Sequence, residues 1–195
     1  MSSIMAGALI AVGAVVNLQV GGVLGAILFS FGLLMIVMQG LDLFTGKVGY
    51  VFDKNIRCRD LVIMLLGNAY GAIMTAYALT LTPLGAALAP AATAVIASKI
   101  SAGLLANAIL GIGCGVCVYL AVDNWASTHD WMSVMLPVSV FVICGFGHCI
   151  ADMFYAALGD VGARGWLTVL ATGIGNVLGS WAMPIVNKVR KPVNF

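Results

Sequence analysis

The sequence predicts an all-α membrane protein with six transmembrane helices, and three observations carry that expectation. Of its 195 residues, 62% are hydrophobic and only 8% are charged, a balance that marks a bilayer-embedded chain rather than a water-exposed one. A span takes about 20 apolar residues, so the length accommodates roughly six spans and leaves no room for a soluble catalytic domain. The expectation is a single transmembrane domain over residues 1–195 and no enzyme. Third, two apolar segments about a hundred residues apart are interrupted by glycines and one hydrogen-bonding side chain each: Leu43-Phe44-Thr45-Gly46 and Gly145-Phe146-Gly147-His148-Cys149. Within hydrocarbon every backbone N–H and C=O needs a partner, so a non-helical break persists only where it is buried in protein or lines a cavity. The breaks therefore mark the expected path of a solute.

The first span is read from Ile4 to about Asn17. A secretory signal is the competing reading, but no basic residue precedes the run. The second span runs from about Gly22 to Gln39 and continues through Leu41-Asp42-Leu43-Phe44-Thr45 into a short amphipathic piece ending near Asp53, with a polar loop over Lys54 to Asp60. Leu61 to Leu81 is the third, followed by a small-residue, charge-free stretch with Pro83 and Pro90 that reads as a loop. Lys99 opens the fourth, which reaches Val122. After a polar turn from Asp123 to Asp130, the fifth comprises Trp131 to Cys144 and Ile150 to Leu158, and Trp166 to Val186 is the sixth.

Positive charge sets the expected orientation, because loops on the cytoplasmic side hold the excess of Lys and Arg. With six spans, one side receives Lys47, Lys54, Arg57, Arg59, Lys188, Arg190 and Lys191, and the other only Lys99 and Arg164. Both termini are expected to be cytoplasmic, although the Asp123–Asp130 turn on that side lacks a cation. All acidic residues are Asp, and a net charge of +2 points to no nucleic-acid partner. The five cysteines are odd in number, and four lie within or beside apolar spans. Cys114 and Cys117 form a C-x-x-C on a continuous helix without a second ligand pair, so they are read as packing residues, with no metal or cofactor expected.

Gly67-Asn68-Ala69-Tyr70-Gly71 in the third span recurs as Gly175-Asn176-Val177-Leu178-Gly179 in the sixth. Each GNxxG follows a broken span, so the chain divides into halves of three spans, about 1–97 and 98–195. An odd number of spans per half inverts the repeats across the membrane and puts a solute site at their interface. The motifs themselves read as helix packing, since small residues four apart permit close approach and Asn bonds across to a neighbour.

These features together resemble the formate/nitrite transporter family over nearly the whole chain. The resemblance rests on Asp42-Leu43-Phe44-Thr45, the GNxxG pair, Lys99, and Gly145-Phe146-Gly147-His148 with Ala151 and Met153. It implies a homopentamer of aquaporin-like protomers, each with its own passage for small monovalent anions. It further implies that Thr45 and His148 face each other in a central chamber, that Phe29, Leu33, Leu43 and Phe141 form apolar constrictions around it, and that Lys99 attracts anions at the extracytoplasmic funnel. Three positions depart from the family's pattern. The Glu that commonly precedes the histidine is Gly147, the Asn that often lies four residues after it is Asp152, and the Asn that commonly follows the fourth-span cysteine is Gly115.

Physical reasoning supports such a layout independently. A bare anion loses its water at a prohibitive cost in an apolar slit, whereas the neutral acid does not. His148 can lend a hydrogen bond or a proton to a weak-acid anion. A buried imidazole prefers to be neutral, which favours a proton from water or one held only in passing. The plainer reading of His148 is a satisfied core histidine, of Thr45 a helix cap, and of Lys99 an anchor reaching for the headgroups. Asp152 is expected to sit near the start of the second half-helix as a cap, or else to share a face with His148. Asn68 and Asn176 are expected to stand behind the residues that meet the solute, in the packing role of their motifs. Gating by an amphipathic N-terminal segment is not expected, since the first span begins almost at residue 1. The expected function is a channel or proton-coupled facilitator for a weak-acid anion such as formate, nitrite or hydrosulfide in a prokaryotic inner membrane. The alternatives are a passage for water, ammonia or hydrogen sulfide, and a structural subunit without flux.

Overall fold

A computed structural model describes residues 1–52 and 56–189, with side chains to residue 186. It is all-helical among those residues: α1 (Ser2–Val20), α2 (Gly22–Met38), α3 (Phe44–Lys47), a 3-10 turn (Val48–Phe52), α4 (Cys58–Thr80), α5 (Pro83–Ala102), α6 (Leu104–Thr128), α7 (Met132–Ile143), α8 (Cys149–Gly159) and α9 (Gly162–Val189). Of the charges used for orientation, Lys54, Arg190 and Lys191 lie outside the described residues, as does Asp53, and the Lys188 side chain is likewise not described.

Five helices, α1, α4, α5, α6 and α9, are long and apolar enough to cross a bilayer, while α2, α7 and α8 are shorter apolar pieces. Side-chain polarity is arranged for that solvent. Leu24, Leu66, Leu105 and Leu170 point outward, whereas Asn68, Asn107, His148, Asp152, Thr172 and Asn176 are buried. An apolar exterior around a polar interior is the arrangement expected of a chain dissolved in lipid, and the protein is an integral membrane protein.

α1 crosses α4 and α6 crosses α9 at close range. A side chain on Gly71 would run into the Ile4 carbonyl, and Gly111 and Gly175 leave no room for a Cβ between them. Such small-residue contacts substitute for the hydrophobic force that lipid does not supply. The two GNxxG motifs thus sit in matching crossings, one on α4 and one on α9.

The stretch from Pro83 onward departs from the expectation. It is not a loop but the 20-residue α5. Thr82 is its N-cap, accepting from the Gly85 N–H at 3.2 Å, and Pro83 stands in its first turn. Proline is preorganised at the start of a helix, and the alanines that follow are the strongest helix formers, so the features read as loop signals are start signals. Lys99 consequently lies in the last turn of α5 and does not open the fourth span, which begins at Leu104.

Candidate functional site

The two breaks follow one backbone plan. α2 and α7 both end in a left-handed glycine, Gly40 (φ 64°) and Gly145 (φ 70°). The next amide in each case bonds back to the helix, Leu41 N–H to Ile36 C=O and Phe146 N–H to Phe141 C=O, both at 2.9 Å. Companion bonds run from Gly40 N–H to Val37 C=O and from Gly145 N–H to Val142 C=O. This paired pattern closes a helix while satisfying its last carbonyls, and it needs a residue that tolerates positive φ. An extended residue then starts the following helix: Leu43 for α3 and His148 for α8.

One asparagine holds each break. Asn68 Oδ1 accepts from Phe44 N–H at 2.7 Å, and its Nδ2 donates to Asp42 C=O at 2.9 Å and Ser3 C=O at 2.6 Å. Asn176 repeats the arrangement: Oδ1 accepts from Cys149 N–H at 2.9 Å, and Nδ2 donates to Gly147 C=O at 2.8 Å and Gly111 C=O at 2.9 Å. Both motifs therefore pack helices through their glycines and satisfy the broken backbone through their asparagines. Ser180 adds a tie, its hydroxyl lying 3.1 Å from Thr45 C=O and 3.2 Å from Gly115 C=O.

His148 is 3% exposed and Thr45 fully buried. The imidazole caps α8, Nδ1 accepting from Ala151 N–H at 3.3 Å. Thr45 Oγ1 lies 2.8 Å from Nε2. Because Nδ1 acts as an acceptor, the proton of a neutral ring resides on Nε2 and is donated to the Thr45 hydroxyl. Thr45 does not cap its own helix; Leu43 occupies that position. Phe141 stacks on the imidazole with centroids 6.0 Å apart and meets Phe29 edge-on at 5.8 Å.

A cavity of about 320 Å³ reaches this group. Phe29, Phe141, His148, Lys99 and Asp152 are part of its wall, whereas Thr45, Leu33 and Leu43 are buried outside the lining. Lys99 does not reach for headgroups. Its side chain is 14% exposed, and Nζ lies 3.1 Å from Asp152 Oδ2. Asp152 stands in the first turn of α8, but its carboxylate goes to Lys99 and the cap is His148. Gly147 makes room for this pair, since a Cβ there would lie 2.7 Å from Lys99 Nζ. The first break has its own pair, Lys47 Nζ to Asp42 Oδ1 at 2.5 Å, about one-third exposed.

Sequence reasoning did not single out four polar residues around this cavity. Asn17 and Tyr155 line it, and Asn107 also does so while donating to Lys99 C=O and Gly103 C=O, both at 2.7 Å. Thr172 on α9 is fully buried with an unpartnered hydroxyl. A polar side chain inside an apolar span was the available signal for Asn107 and Thr172.

A polytopic helical fold with two clamped breaks and a buried imidazole at the wall of a cavity defines a membrane transport protein of the broken-helix class. The chain belongs to the formate/nitrite transporter family: the family model described as Formate/nitrite transporter matches residues 1–188. A formate channel of Haemophilus influenzae is 29% identical over 72% of this chain, which spans 55% of that relative's length. A probable formate transporter of Methanothermobacter thermautotrophicus is 30% identical over 80% of the chain and 70% of its own length. In fold the chain is similar to a pentameric formate channel solved with formate bound, with TM-score 0.81, 24% identity, and 97% and 94% of the two chains covered. A second solved ion channel of the family gives TM-score 0.85 at 21% identity, covering 98% of this chain and 89% of that one.

Proposed function

We propose that this protein passes small monovalent weak-acid anions, of the formate, nitrite and hydrosulfide class, as a homopentamer with one passage per protomer and both termini cytoplasmic. The observation that carries the reading is the buried imidazole at the wall of an apolar-ringed cavity, with Phe29 and Phe141 beside it and Thr45 at its Nε2. An anion entering from the Lys99 side meets the aromatic pair next to the imidazole, whose Nε2–H leaves Thr45 to be shared with it. Neutralised there, the solute crosses Leu33 and Leu43 without the cost of burying a charge.

Formate transport by the similar channels supports the substrate class. Paired charges and a neutral ring in the cavity favour a second reading, conduction of a neutral solute such as hydrogen sulfide or ammonia. Proteoliposome uptake of formate, nitrite, acetate and hydrosulfide across several pH values separates the two. Uptake is expected to rise as pH falls toward each acid's own range, and His148→Asn should lose about tenfold or more in rate while the oligomer stays intact. An unchanged rate and pH profile in that variant sinks the role given to His148. A detergent-purified particle without fivefold stoichiometry sinks the assembly.

A further inference from the structure

Lys99 is not a free cation. Its ammonium is buried against Asp152 Oδ2 at 3.1 Å, inside the same cavity wall as His148. An anion that is to pair with Lys99 must therefore compete with a carboxylate carried by the protein. Both partners are largely withdrawn from solvent, so the pair is poorly screened and the competition is strong.

The displaced carboxylate needs somewhere to go, and the structure holds one candidate. Thr172 Oγ1 is buried within reach of the Asp152 carboxylate, without meeting hydrogen-bond geometry to it or to any other group among the described residues. It lies 3.2 Å from the point where a Cβ on Gly147 would stand, and Lys99 Nζ lies 2.7 Å from that same point. Thr172 and Lys99 thus border one small space left open by the missing side chain of residue 147. A buried hydroxyl left unpaired is costly unless it acquires a partner in another state of the site.

We propose that Asp152 is a built-in counter-ion which a permeating monovalent anion displaces from Lys99, and that the Thr172 hydroxyl receives the carboxylate while the anion holds the lysine. Asp152 then sets the affinity of the cavity for anions, and Thr172 is a positioning residue for the exchange. The inference rests on the proposed passage of anions past Lys99, but its test does not require flux.

Purified full-length protein in detergent is titrated with sodium formate at fixed pH and ionic strength, using the shift in thermal unfolding as readout. Asp152→Asn should lower the half-saturating formate concentration by about tenfold, because the competitor loses its charge. Thr172→Val should raise it several-fold, and Lys99→Met should remove the formate-dependent shift. A half-saturation point in Asp152→Asn that stays within twofold of wild type, or rises, overturns the proposal. So does a Thr172→Val variant indistinguishable from wild type, as regards the receiving role. Should Asp152→Asn fail to assemble, Asp152→Ser is read by the same criteria. Tighter formate binding by Asp152→Asn in a protein that passes no anion through liposomes retains this inference and rejects the proposed function. Anion flux with unaltered binding in the variant does the reverse.

Discussion

Leu43 in the first break and His148 in the second occupy the same position, the extended residue that starts the helix after a glycine-closed turn. Their neighbours match as closely, with an asparagine on the packed helix behind each break bonding one amide and two carbonyls. Side-chain chemistry is where they diverge. Leu43 offers its helix no cap, whereas His148 caps α8 through Nδ1. Lys47 and Asp152 are the fourth residues of α3 and α8, so one register carries opposite charges. The first break answers Lys47 with Asp42 two positions upstream of Phe44; the second has Gly147 at that place and takes its counter-charge from Lys99 on α5. One backbone device can therefore be built twice while only one copy carries an ionisable ring at its centre.

The largest expected effect comes from removing a clamp. Asn176→Leu strands Cys149 N–H and Gly147 C=O, both buried, at about 1–3 kcal/mol each, and removes the extra bond to Gly111 C=O inside α6. The variant should not survive purification as an oligomer by size-exclusion chromatography. Asn68→Leu should be milder, since its bonds to Ser3 and Asp42 are only part-buried, and a lowered unfolding temperature with retained assembly is expected. Equal damage from both would erase the distinction between the breaks.

Next in size is Thr45→Val, which leaves the buried Nε2–H without an acceptor at a cost of about 1–3 kcal/mol. Thr45→Ser keeps the hydroxyl and should behave as wild type in thermal unfolding. If Val and Ser are indistinguishable, the histidine does not depend on the first break. Smallest are Gly40→Ala and Gly145→Ala, where positive φ costs an L-residue about 1–2 kcal/mol. Near-identical shifts in unfolding temperature are expected, because the two turns share a geometry.

Much of this was legible in the sequence because its signals are local. An apolar composition fixes the solvent, glycines beside Thr45 and His148 announce the breaks, and the repeated GNxxG announces matching crossings. α5 escaped because Pro83 and Pro90 in a charge-free run serve loops and helix starts alike; only the Thr82 cap and the alanines around Pro90 distinguish them. The partner of Lys99 escaped for a different reason. Asp152 lies on another helix far along the chain, and no periodicity within either helix encodes the register that brings them to 3.1 Å. The double role of Asn68 and Asn176 is of the same kind, since residue identity offers packing or bonding but the crossing supplies both.

The clamps also decide what can move. Shifting either interrupted segment would break its two bonds to an asparagine buried between packed helices, an event in the range of local unfolding rather than ordinary breathing. What remains available is torsional: a turn of the Phe29 or Phe141 ring, a swing of the Thr45 hydroxyl, a rotation of the Asp152 carboxylate. Such steps take picoseconds to nanoseconds at exposed sites and longer in a packed interior. The main chain around the imidazole is thus a fixed frame, and only its tenants turn.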